Sequence, residues 1–253
     1  MMGSLIRLGF VFMILATLLV GSGCKEAAAP RTDLEVFVEE MGALEGQAQD
    51  DSLRALAAGP LPGSKFANYM IGNGFYKAAT DSAQLVGWSG GAVNALLDSA
   101  ETYFTLAVEQ DSTFIEAMVN LGSLWDDRAD QMGNRQQRNA RLAKSEEFYR
   151  LALSIDPDDE KARCNLGGLY MRMQQTSKAM AEFKIVLESH PESALAHYNL
   201  AIMFAEAEIY REAIHEWETA SELDPDGDIG QRSRDNVRIV KELLESPTPA
   251  VVQ

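Results

Sequence analysis

The chain has 253 residues, 46% of them hydrophobic, and carries 38 acidic side chains against 22 basic ones for a formal charge of −16. That acidity argues against nucleic acid as a partner and against a polybasic grip on anionic lipid. Three histidines are few for an enzyme of this length.

Met1 to Gly23 holds one charged residue, Arg7, followed by the apolar run Leu8 to Val20, which has the length of a signal-peptide h-region. A spanning helix wants about 20 apolar residues, so an uncleaved anchor fits less well. The segment closes on Gly21-Ser22-Gly23-Cys24 and is similar to a bacterial lipobox, in which the cysteine is lipidated and becomes the first residue of the mature chain. The lipobox pattern prefers an aliphatic residue three before the cysteine, where this chain has Gly21. An ordinary secretory signal ending near a cysteine is the other reading, and both export the protein. Loss of residues 1–23 removes only Arg7 and leaves the exported part at a formal charge of about −17. A lipidated Cys24 leaves Cys164 without a disulfide partner, so Cys164 reads as a small packed residue.

Residues 24–32 form a tether. In the N-terminal segment 33–63, Leu34, Phe37, Val38, Met41 and Leu44 recur at helical spacing. A second run, Leu53, Leu56 and Ala57, follows Asp50-Asp51-Ser52 and ends at Gly59-Pro60-Leu61-Pro62-Gly63, which predicts one or two helices here.

Residues 64–227 are governed by a period. Leu166, Gly167, Tyr170, Ala179, Phe183, Val186 and Pro191 are matched 34 positions later by Leu200, Ala201, Phe204, Ala213, Trp217, Ala220 and Pro225. This order and period resemble the tetratricopeptide repeat, a helix-turn-helix unit that stacks into a right-handed superhelix. The small Gly167 and Ala201 let two helices approach, the aromatic residues fill the space between them, and the prolines stop each unit.

Two weaker copies lie upstream, giving about four units, the first two with insertions. Ser145, Tyr149, Ala152 and Pro157 fit a second helix, but Leu121-Gly122-x-x-Trp125 lies 11 residues too early, so a charged extension of helix or loop is expected around Arg128 to Arg138. Ala100, Phe104 and Ala107 fit another second helix, and Ile71-Gly72-x-x-Phe75 lies 16 residues too early for its partner. The excess is expected as a Gly-rich loop, Leu85 to Gly91, carrying Leu85, Val86 and Trp88, either a functional lid or a flap on the chain's own core. Residues 228–245, with Ile229, Val237, Val240, Leu243 and Leu244 among charges, resemble the helix that caps such arrays, and residues 246–253, with Pro247 and Pro249, are expected to be disordered.

No chemistry-bearing constellation emerges. His197 and His215 have no third ligand at metal spacing. Asp224, Asp226 and Asp228 alternate as in a calcium loop, but that loop needs Gly sixth and Glu twelfth, where Ile229 and Asp235 stand. Neither a phosphate-binding Gly loop nor a nucleophile elbow is present, so no enzymatic activity, metal or cofactor is expected. The family resemblance implies instead a concave groove lined by the first helix of each unit. Its residues would be Glu116, Val119, Ser123, Asp126 and Asp127, then Lys161, Cys164, Met171 and Arg172, then Leu195, Tyr198, Ile202 and Glu206. Leu195, Tyr198 and Ile202 are expected there without core contacts, and Asn120, Asn165 and Asn199, which recur at one repeat position, are expected to be structural. Lys and Asn in carboxylate-gripping relatives correspond to Cys164 and Gly168 here, which disfavours that ligand.

Taken together, the chain is expected to be an all-α lipoprotein of a bacterial envelope, held to the membrane by acyl chains on Cys24 and acting as an adaptor for a protein or peptide partner. Lys25 after the cysteine resembles lipoproteins sent to the outer membrane, facing the periplasm. The alternative is a ligand-binding lipoprotein or enzyme accessory subunit that uses the Trp88 loop as a lid.

Overall fold

The computed structural model describes residues 31–44, 46–59, 63–131 and 133–245. The signal segment, the acylation site at Cys24 and the 246–253 tail lie outside the described residues. Within them the chain forms eleven helices and no strand: α1 (Asp33–Gly42), α2 (Gln47–Ala57), α3 (Ser64–Val86), α4 (Gly91–Gln110), α5 (Ile115–Arg128), α6 (Arg135–Ile155), α7 (Glu160–Arg172), α8 (Thr176–Ser189), α9 (Ala194–Glu206), α10 (Tyr210–Leu223) and α11 (Asp228–Glu245). Helices α3 to α10 make four consecutive pairs, each packed on itself and its neighbours, and α11 follows α10 where a fifth pair would begin.

One contact recurs through the pairs. A Cβ added at Gly72 would sit 2.7 Å from the Phe104 ring, one at Gly167 would sit 2.5 Å from the Phe183 ring, and one at Gly122 would collide with Tyr149. In the fourth pair Ala201 shares a cluster with Trp217. All four aromatic side chains are buried, so first and second helices approach as closely as a hydrogen or a methyl permits.

The turns between pairs are equally regular, four residues each at 111–114, 156–159, 190–193 and 224–227. Asp111 and Asp156 each accept a backbone N–H two residues on, at 2.9 Å. Asp159 and Ser193 then cap the next helix through the N–H of Ala162 and Ala196. Inside the last two pairs the connections are three residues long, with Gln174 and Glu208 left-handed at φ 59° and 60°. Bonds from Gln175 N to Tyr170 O (2.8 Å) and from Ile209 N to Phe204 O (2.9 Å) close the preceding helices.

The extra residues of the first two pairs are mostly helix, not loop. Only residues 87–90 separate α3 from α4, and these helices run 23 and 20 residues against 13 and 14 for α7 and α8. The reason is a seam that continues past the usual end of the unit: Ala79 and Ala83 on α3 are buried in one cluster with Val93 and Leu97 on α4. Gly87, at φ 78°, ends α3. Trp88 packs half-buried on this cluster, whereas Leu85 and Val86 are 86% and 66% exposed at the tip. In the second pair α6 gains 7 residues over α8, opened by Asn134 and Gln137 as a capping box.

Neighbouring glycines on α7 should therefore respond in opposite directions. Gly167→Ala should cost about 1 to 3 kcal/mol by overpacking against Phe183. At Gly168 an added Cβ meets nothing within 4 Å, so Gly168→Ala should stabilise by up to about 1 kcal/mol through helix propensity. Urea denaturation of the two variants beside wild type checks this, and equal shifts would refute the register.

Candidate binding groove

The first helices of successive pairs turn one face inward. Ser123, Asp126 and Asp127 on α5, Asn165, Gly168 and Arg172 on α7, and Asn199 and Ile202 on α9 follow the spacing of three to four residues that aligns side chains on a helix. With Ile229 and Arg232 of α11 they enclose a cavity of about 340 Å³. The 34-residue period carries through it: Cys164, Tyr198 and Arg232 are equivalent positions, as are Lys161, Leu195 and Ile229. A second hollow of about 590 Å³, bordered by Asp159, Glu160, Lys161, Glu192 and Asp224, shares Leu195 and Ile229 with the first, so the two are adjacent.

The structure distributes the expected groove residues unevenly. Arg172, Leu195, Tyr198, Ile202 and Cys164 line the first hollow, and Lys161 lines the second. Met171 and Glu206 line neither, since Met171 packs against the core and Glu206 is exposed at the end of α9. Val119 is core as well, 1% exposed.

The expectation that Leu195, Tyr198 and Ile202 have no core contact is corrected, and Leu195 packs half-buried against Cys164, Val186 and Ala196. Tyr198 is only 7% exposed, clustered with Trp217 and Val240 and overlaid by the Arg232 guanidinium 4.9 Å from its ring centre. Helix α11 provides the cover, and Ile202 is half-buried in the same cluster. Arg172 is likewise no free cation, because its Nη2 donates to Asp130 at 2.7 Å and its Nε lies 3.2 Å from Asp126 Oδ1 without hydrogen-bond alignment. It ties α7 to the end of α5.

Polar residues on this face also hold the stack together. Asn120 Nδ2 donates to Asn73 Oδ1 at 2.6 Å and Asn165 Nδ2 donates to Ser123 Oγ at 3.3 Å, each crossing from one first helix to the next. Asn120 and Asn165 are thus ties, and Asn165 and Asn199 line the cavity. Arg232 was hidden from a reading of α11 as a solvating cap, although its place 34 residues after Tyr198 was a usable signal.

Two half-buried carboxylates set the electrostatics. Burial raises Asp126 to a pKa of about 6 and outweighs the attraction of Arg172. Burial also raises Asp127 to about 6, against the hydrogen bond it accepts from the Tyr76 hydroxyl at 2.5 Å. The Cys164 thiol is pushed up to about 12 by burial, so it is no nucleophile at neutral pH. Nothing in this lining sets up bond-making chemistry; it offers hydrogen-bonding groups, apolar walls and charge.

An array of helix pairs with a concave face of this kind defines a helical-repeat scaffold. Residues 164–228 match the family model described as "Tetratricopeptide repeat". The chain is similar to a thermophilic TPR protein of Thermus thermophilus, at 16% identity and a TM-score of 0.63, covering 83% of this chain and 97% of that one. A crystal structure of MamA aligns at 15% identity and a TM-score of 0.47, covering 78% and 97% of the respective chains. No curated protein matches this chain. The fold is a right-handed superhelical stack of tetratricopeptide units with N-terminal helices and a C-terminal capping helix. Repeats of this kind are generally non-catalytic scaffolds for protein–protein interaction.

The two raised carboxylates fix a pH dependence. Their folded pKa of about 6 lies above the ordinary 3.8, so between these values the native state binds more protons than the unfolded chain, and their contribution to stability falls as pH rises. Asp127→Asn should therefore gain on wild type in urea midpoint as pH is raised from 4 to 7.5. A difference that stays constant with pH would contradict the burial of Asp127.

Proposed function

We propose that this protein is an exported bacterial lipoprotein, anchored through acylated Cys24 to the outer membrane on its periplasmic side, that holds a segment of a partner protein in the groove of α5, α7, α9 and α11. The observation that carries the reading is the placing of two adjacent hollows along the first helices, both bordered by Leu195 and Ile229, the first lined at Gly168, where side-chain space is open. Export and anchoring are supported by the apolar run ending in Gly-Ser-Gly-Cys and by Lys25 after the cysteine. A lid at Trp88 is less well supported, because the connection has only four residues and its indole packs on its own pair.

Filling the groove tests the reading without disturbing the core. Gly168→Phe should reduce crosslinked capture of partner from intact envelopes by at least tenfold, equivalent to about 1.4 kcal/mol, while the melting temperature holds or rises. Capture that survives Gly168→Phe but is lost on deleting residues 85–91 would move recognition to the α3–α4 tip. For the anchor, intact mass should show a mature chain beginning at lipid-modified Cys24, and Cys24→Ala should release the protein from membranes.

A further inference from the structure

The groove has a chemical bias that its shape alone does not convey. Asp159, Glu160, Glu192 and Asp224 border the second hollow, and none of them is in an ion pair among the described residues. Lys161 is the one cation in that lining. Three of the carboxylates are held in place by neutral donors: Asp159 by Ala162 N, Glu160 by the Ser193 hydroxyl at 2.6 Å and Asp224 by Gly230 N at 3.1 Å. Each retains acceptor capacity for a cation, since an ionised carboxylate has about four lone-pair sites.

The other half of the bias is apolar. Leu195 and Ile229 border both hollows. From Ile229 the same stripe of α11 continues through Arg232 and Asn236 to Ile239 and Leu243, following helical spacing. Ile239 and Leu243 are 55% and 56% exposed, which makes an open aliphatic margin beside the groove.

We infer that the occupant of the groove is a basic, amphipathic segment of another protein, with aliphatic or aromatic side chains seated at Leu195 and Ile229 and lysine or arginine directed at the second hollow. This occupant presupposes that the groove is the binding site proposed for the protein. Charge complementarity selects among occupants. A second copy of a chain with a formal charge of −16 would bring like charge, and the chain's own residues 246–253 contain no lysine or arginine. Anionic lipid is disfavoured on the same ground.

Selection from a random peptide display library on the purified soluble chain, with Cys24 replaced by Ser, tests this directly. Sequences that place lysine or arginine beside leucine, isoleucine, valine or phenylalanine should be enriched. A synthetic peptide of the enriched sequence should bind more weakly as salt is raised and about tenfold more weakly to Glu192→Lys, an exposed position where folding is not at stake. Enrichment of acidic or uncharged sequences that no longer bind Gly168→Phe would overturn the basic partner and leave the groove intact. Sequences that bind Gly168→Phe as well as wild type would overturn both, and a selection with no enrichment overturns the inference outright.

Discussion

The structure depends on one steric constraint, the absence of room between a small residue on each first helix and an aromatic ring on its second. Gly72, Gly122 and Gly167 face Phe104, Tyr149 and Phe183, and Ala201 accompanies Trp217. The contact fixes how closely two helices approach, and once the distance is fixed each pair has a set height in the stack. Because a pair touches little beyond its neighbours, the array is a chain of local solutions. The regular turns with their aspartate or serine caps then pass the direction from one pair to the next.

That arrangement divides labour between the two faces of each first helix. One face packs against the second helix and is apolar, while the inward face is left for polar groups. Some of these spend their hydrogen bonds on neighbouring units, as Asn120 does with Asn73, Tyr76 with Asp127 and Arg172 with Asp130. Asp126 and Asp127 remain half-buried carboxylates with raised pKa values, so this end of the groove holds charge at a cost in stability at neutral pH.

The two ends of the array differ for a reason visible in the core. The last two pairs keep the 34-residue unit, and the match to the repeat family lies there, at residues 164–228. In the first pair an apolar seam at Ala79, Ala83, Val93 and Leu97 prolongs both helices, so additional residues lengthen the hairpin without disturbing Gly72 against Phe104. A repeat stack tolerates such growth because it occurs at the far end of the pair, away from the next turn.

Much of this was legible in the sequence, because the small-aromatic pairing is local, repeats at a fixed interval and cannot be satisfied by strands or by a different helix register. Leu166, Gly167, Phe183 and their counterparts 34 residues on determined the all-helical repeat and the faces that pack. The excess between Ile71 and Phe104 was countable too, but reading it as loop missed the buried alanines, whose burial depends on what lies opposite. The groove was the part that only the tertiary structure decided. Whether Tyr198 is open or covered depends on where α11 comes to rest, and the Arg232 guanidinium over its ring is a contact between separate units. Whether Arg172 is a free cation depends on the distance to Asp126 on another helix and to Asp130 just past its end. Periodicity assigns a residue to a face; only packing between units determines what else occupies that face and therefore which charges remain unpaired.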